Sequence, residues 1–266
     1  MSTLATLLTQ VDPTALHQVT ALVQSAAGDA QHTASTFIGH LPTGDNEWFN
    51  NKAIKLKLWP ATIETLEMTF FSGFLTVLFG LPLGLALVST GSRGLHPNAV
   101  ANKFLSMIVN IGRSLPFIIL MVAIIPLTRL LVGTSLGWQA AVVPLTIGAI
   151  PFYARLVESA VNAVDAGKVE AALMMGASSS QITWGVLVRE ALPTLIQSAT
   201  VTVITLLGYS AMAGTVGGGG LGDLAVQYGY MRYQTDVMVI TVVLIVIIVA
   251  IIQAVGDMFS RLVDHR

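Results

Sequence analysis

The side chains able to do chemistry in this chain are few and poorly spaced for catalysis. Glu64, Glu67, Glu158, Glu190, Asp223 and Asp257 lie near the ends of apolar runs, and the five histidines (His17, His32, His40, His96, His265) fall outside them. No carboxylate sits deep in an apolar segment, where a proton or sodium relay would need one. A buried histidine cage for a metal is not expected either. The chain has no cysteine, which excludes a disulfide, a thiolate metal site and a cysteine nucleophile. Gly167-Lys168-Val169 lacks the glycine spacing and the following Ser or Thr of a phosphate loop. No Ser/His/Asp set or carboxylate pair forms a hydrolytic motif, so no catalytic residue, metal or cofactor is expected in the chain itself.

What remains is a stretch suited to recognition. Glu170, Ala171 and Ala172, then Met174, Met175, Gly176, Ala177 and Ser178, lie in a polar loop between two apolar runs. Glu, Ala, Leu and Met are good helix formers. Gly176 stands where a left-handed residue would end that helix, and Ser178 with Gln181 has capping-box spacing for a second one, with Ile182, Trp184, Val186 and Leu187 as apolar surface beyond. Small alanines allow close approach and methionines fill an irregular groove, so the helix-glycine-helix elbow reads as a docking element. A loop packed on its own bundle would show the same short pattern.

The elements that must position this elbow follow from composition. Of 266 residues, 54% are hydrophobic and 10% charged, against about 25% charged in soluble domains. The fold class is all-α and polytopic. The net charge of -1 gives no reason to expect nucleic acid. Charge-free windows at 68–92, 130–154, 191–222 and 237–256 each have the roughly 20 residues needed to cross a bilayer. A fifth span, 104–131, is interrupted by Arg113 and Arg129, which can snorkel to opposite faces, with Pro116 and Pro126 between them. Five transmembrane helices put the elbow between helices 3 and 4. The basic residues then group Arg93, Lys103, Arg113, Arg155, Lys168, Arg189, Arg261 and Arg266 on one side, which the positive-inside rule makes cytoplasmic. The N-terminus is expected outside and the C-terminus inside, although Lys52, Lys55 and Lys57 on the outer side run against the rule.

Residues 1–58 form a separate, charge-poor extension without the basic and apolar regions of a signal peptide. Leu4, Leu7 and Leu8, then Leu16, Val19 and Val23, have helical spacing. Trp48, Phe49, Ile54, Leu56, Leu58 and Trp59, interleaved with the lysines, form an interfacial anchor on membrane lipid. The remainder divides into a membrane domain, 62–253, and a cytoplasmic tail, 254–266. Gly80-Leu81-Pro82-Leu83-Gly84 and Gly133 to Gly137 match small-residue packing spacing, a common pattern in membrane helices.

Glu170-Ala171-Ala172-x3-Gly176 before the penultimate span resembles the EAA loop of ABC importer permeases. Further stretches resemble the permease of bacterial methionine importers: Glu64-Thr65-Leu66; Ile108-Val109-Asn110-Ile111 with Arg113-Ser114-Leu115-Pro116-Phe117; Val143-Pro144-Leu145-Thr146; and Gly208-Tyr209-Ser210-Ala211-Met212 with Tyr228-Gly229-Tyr230. The likeness runs from about Thr62 to the C-terminus. It departs at Arg189, where the family pattern has proline, with Leu192-Pro193 as a substitute bend.

The resemblance implies a methionine permease of the bacterial inner membrane, for the D- or L-form. It would act as a homodimer with two cytoplasmic ABC ATPases that bind ATP and Mg, and with a methionine-binding lipoprotein outside. A permease for another amino acid is the nearest alternative, and a passive channel or ion-coupled carrier the alternative of another class. The path for substrate is then expected along Ser114, Pro116, Phe117 and Met121 in span two and Tyr209, Ser210 and Met212 in span four, although Pro116 also reads as a simple kink and the methionines as packing. Gly217, Gly218, Gly219 and Gly220 cannot hold a regular helix and are either an outer gate or a simple turn.

Overall fold

A computed structural model describes residues 51–92 and 94–264, all of it helix and connection with no strand among them. The expectations for residues 1–50, including Trp48 and Phe49 of the anchor, lie outside the described residues.

The first helix, α1 (Lys52–Thr90), starts where the Asn51 side chain accepts a hydrogen bond from the Ala53 N–H at 2.9 Å. It is longer than the apolar window at 68–92, because residues 52–58, which the sequence groups with the extension, are its first turns. Its buried face is small and hydroxylated: Ala61, Thr65, Thr69, Ser72, Thr76, Gly80 and Gly84 recur at near-i,i+4 spacing. This face packs along α5 (Trp138–Asn162), the most extensive helix pair in the molecule. A Cβ on Gly80 would lie 2.9 Å from the Tyr153 ring, and one on Gly84 only 2.6 Å from the Val157 Cβ. The Gly80/Gly84 pair therefore has a partner, and close backbone approach substitutes for the hydrophobic drive that lipid does not supply. Two hydroxyls on this helix donate to carbonyls one turn back, Thr62 to Leu58 at 2.7 Å and Thr65 to Ala61 at 3.0 Å, which satisfies those two without water, whereas the buried Thr69 and Thr76 hydroxyls have no partner among the described residues.

The second span is broken. Helix α2 (Ala99–Ser114) begins at an Asn98 cap, and α3 (Phe117–Ala123) follows at 103° to it. Leu115 is extended and Pro116 caps α3, as expected where proline disfavours a helical predecessor and lacks an N–H. Helix α4 (Ile125–Val132) then closes on Gly133 in the left-handed region. The four long spans with this bent pair give the five-span architecture.

After α5 comes the short α6 (Ala166–Met174), then a long helix α7 (Ser179–Gly218) that is π-wound over Ile182–Val188 and leaves helical geometry at Val216 and Gly217. Helix α8 (Gly220–Leu224) and a π turn to Tyr230 lead into α9 (Thr235–Val263), which runs unbroken into what the sequence separates as a tail. Asp236 in its first turn and Arg261 in its last complement the helix dipole.

Buried residues form layers along the bundle. At one end Leu85, Tyr153, Val157, Val161, Ala191 and Leu195 pack together. The middle holds Met68, Phe117, Met121, Leu145, Ala149 and Leu206. At the other end Ala53, Ala61, Leu207, Leu221, Leu224 and Val237 close the fold. Helix α6 belongs to the first of these ends.

Candidate functional site

The elbow is built from local backbone chemistry. Asp165 accepts the Gly167 N–H at 2.8 Å and starts α6. At the other terminus Gly176 has φ +78°, its N–H donates to the Leu173 carbonyl at 3.0 Å, and the Ala177 N–H donates to the Ala172 carbonyl at 3.1 Å. This is a Schellman closure. A Cβ at Gly176 would meet no atom within 4 Å, so glycine is needed there for its backbone angle and not for space. The capping box is complete: the Ser178 N–H donates to the Gln181 Oε1 at 2.8 Å, and the Gln181 N–H donates to the Ser178 Oγ at 3.4 Å.

One face of α6 is spoken for and the other is bare. Ala172 is buried, whereas Glu170, Ala171, Leu173, Gly176 and Ser178 are exposed, with Met174 91% and Met175 81% accessible and Ala177 intermediate. Two adjacent methionines fully in the open at a helix end make a surface suited to an irregular apolar partner. Beyond the box, Ile182 is wholly buried, Leu187 packs toward the core and Trp184 remains 56% exposed. Lys168 pairs with Glu190, tying α6 to α7. Under α6 lies a cavity of about 380 Å³, lined chiefly by Leu85, Val88, Val161, Val164, Leu173 and Leu187, with Glu170 also on its wall. Arg189 is the first α-helical residue after the π segment, and the helix continues through Pro193. The Pro193 carbonyl accepts from the Ser260 hydroxyl at 3.1 Å, which joins α9 to this end.

The residues expected along a path divide into two groups. Phe117 and Met121 are buried in the middle layer, and the Phe117 ring stacks on Tyr209 at 4.6 Å and 4° between planes. Ser210 is also buried, its hydroxyl donating to the Leu207 carbonyl at 2.8 Å. Ser114, Pro116 and Met212 are exposed, and Ser114 donates to the Asn110 carbonyl at 2.7 Å. Spans two and four thus meet in the middle layer, where the Phe117–Tyr209 stack is one contact.

At the end opposite the elbow, the glycine turn is held by α1. The Gly220 N–H donates to Glu64 Oε2 at 2.7 Å and the Leu221 N–H to Thr65 Oγ1 at 2.8 Å. Gly217, Gly219 and Gly220 all have positive φ. There is no room for side chains: a Cβ on Gly219 would lie 2.6 Å from Glu64, one on Gly220 2.6 Å from Thr65, one on Gly218 2.7 Å from the Ala213 carbonyl and one on Gly217 2.7 Å from Leu136. Nothing local in the sequence marks Glu64 or Thr65 for this role, since the backbone they hold lies 156 residues away. Lys168–Glu190 and the π segments also carried no local signal. Among the described residues no His, Asp and Glu cluster could hold a metal ion.

The fold is that of a multi-span helical membrane protein with an exposed elbow between its third and fourth spans. Residues 60–266 match the family described as "Binding-protein-dependent transport system inner membrane component", and the chain belongs to that family. It is 55% identical over 209 residues to the "Probable D-methionine transport system permease protein MetI" of Vibrio cholerae, covering 79% of this chain and 93% of that protein. It is 47% identical over 210 residues to the "Methionine import system permease protein MetP" of Bacillus subtilis, covering 79% and 95%. Among solved structures it resembles a chain from "Inward facing conformations of the MetNI methionine ABC transporter", with a TM-score of 0.79 and 50% identity over 81% of this chain and all of that one.

Proposed function

We propose that this chain is the membrane-spanning subunit of an ATP-driven methionine importer in a bacterial inner membrane. The substrate assignment is supported by relatives named for methionine transport that match nearly four-fifths of the chain at about half identity. The observation that carries the coupling role is the elbow, with Met174 and Met175 in the open at the end where α6 meets only the π segment of α7 in quantity. Two copies of the chain form the transport pathway, two ABC ATPases that bind ATP and Mg dock on the elbows, and a methionine-binding lipoprotein delivers substrate at the glycine-turn end. The N-terminus lies outside and the C-terminus in the cytoplasm. This chain is a transport subunit, and hydrolysis belongs to the partner.

In this reading ATP closes the ATPases and the elbows follow, biasing the bundle between inward and outward access. Exposed Ser114, Pro116 and Met212 face the path between copies, while Phe117, Met121, Tyr209 and Ser210 shape its wall from behind. Gly217 to Gly220 move with α1 as an outer gate, because Glu64 and Thr65 hold that turn. The test is uptake of labelled D- and L-methionine by proteoliposomes holding the chain, with and without the ATPase and binding protein. The expected result is accumulation only with ATP and both partners. Uptake that follows a proton or sodium gradient without an ATPase would replace this reading with a secondary carrier.

A further inference from the structure

One of the lysines that run against the positive-inside rule, Lys57, has a structural setting that transport does not explain. Lys57 Nζ lies 4.7 Å from the centroid of the Tyr228 ring, and Arg232 Cζ lies 4.2 Å from the same centroid. The two cations are therefore within about 9 Å of each other, comparable with the Debye length of about 8 Å at physiological salt, so they repel. Cation–π attraction offsets part of that repulsion. Among the described residues neither has a carboxylate partner, since the ion pairs are Arg155–Glu158 and Lys168–Glu190. The Asp236 carboxylate, four residues after Arg232, accepts a hydrogen bond from the Asn51 amide at 2.9 Å and forms no ion pair with either cation. A hydrogen bond from Lys57 to the Tyr228 hydroxyl, with smaller contributions from the charges of Lys57 and Arg232, holds the phenol pKa below its ordinary value.

The surroundings identify what such a field meets. The charge-free run of α9 begins at Val237, five residues after Arg232, so the cluster stands just outside the hydrocarbon boundary. Trp59, Tyr230 and Tyr233, close to the cluster in sequence, are 72%, 69% and 88% exposed, the residue types of a headgroup belt. Tyr233 is the one non-glycine residue with positive φ among the described residues, held by a loop in which the Gln234 N–H donates to the Tyr228 carbonyl at 3.1 Å. A fully exposed aromatic kept in an unfavourable backbone region points to a surface used for contact.

We propose that Lys57 and Arg232, converging on Tyr228, bind the phosphate of an anionic phospholipid headgroup at the end of the bundle opposite the elbow. The site fixes the start of α1 to the α8–α9 connection through a lipid and does not depend on the methionine assignment. The test uses the full chain reconstituted in mixed phosphatidylglycerol and phosphatidylcholine vesicles, extracted in detergent, with bound lipid measured by mass spectrometry. Wild type should retain phosphatidylglycerol over phosphatidylcholine. Lys57→Gln and Arg232→Gln should each cut that preference about fivefold, the worth of one cation near a membrane surface. The Lys57→Arg, Arg232→Lys exchange should keep it, and so should Lys103→Gln with Arg261→Gln at the other end. Since the single variants keep one cation each, both can be checked for intact helix content and elution before lipid is counted. Equal retention in the glutamine variants, or an equal fall in the control, would overturn the site. Displacement of the lipid by inorganic phosphate would assign the cluster to a free anion, and displacement by the binding protein would assign it to that partner; either would overturn the lipid reading.

Discussion

Gly176 shows how one residue can matter without touching anything. Its φ of +78° and the empty space around it mean that a substitution acts through the backbone alone. A non-glycine residue in the left-handed region costs about 1–2 kcal/mol, least for Asn and most for β-branched side chains. Gly176→Asn should therefore keep uptake near wild type, whereas Gly176→Val should abolish it while membrane abundance stays unchanged on immunoblots. Equal activity in both would detach the elbow from coupling. Glu64 presents the opposite case, a side chain defined by its distant partner. Removing the acceptor of the Gly220 N–H in Glu64→Ala should cost about 1–3 kcal/mol, read as a lowered Tm in detergent, and Glu64→Gln should recover most of it because the amide oxygen still accepts. A Tm unchanged in Glu64→Ala would show that the clasp is not formed.

The elements were legible from sequence to the extent that their signals are local. The end of α6, the capping box at Ser178 and the break at Pro116 each follow from a few adjacent residues, and each is present. The start of α1 was obscured because Lys52, Lys55 and Lys57 interrupt the apolar pattern, although a helix outside hydrocarbon tolerates charge freely. The glycine run shows a different limit: composition excluded a regular helix, but only the fold supplies Glu64 and Thr65. The expected path residues share spans but not a face, because the helices turn Phe117, Met121 and Ser210 inward while Ser114 and Met212 look out. With no native cysteine to compete, single cysteines at Ser114 and Met212 should react with a small polar thiol reagent and those at Phe117 and Met121 should be protected. Reactivity should change when ATP is added to the assembled complex. The reverse pattern would place the path on other faces of these spans.

For the whole molecule, the layers of buried residues join the two ends through α1, α5 and α7, so a push on α6 has a packed route to the glycine turn. The sequence separates residues 1–58 from this machinery, and the family match begins at residue 60. Deletion of residues 2–45 should leave ATP-driven uptake within about twofold of wild type, a change of roughly 0.4 kcal/mol in barrier terms. Loss of uptake with normal insertion would make the extension a working part of the outer end.

If the exposed elbow docks on the ATPase, its motion passes into the membrane through α6. A single cysteine at Met174, in a chain that otherwise has none, allows this to be measured by cross-linking to a cysteine-bearing partner ATPase in native membranes. The account requires a cross-linked permease–ATPase band whose yield differs between the nucleotide-free and ATP-bound states. If that band is absent in both states while the same membranes import methionine with ATP, the elbow is not the docking element.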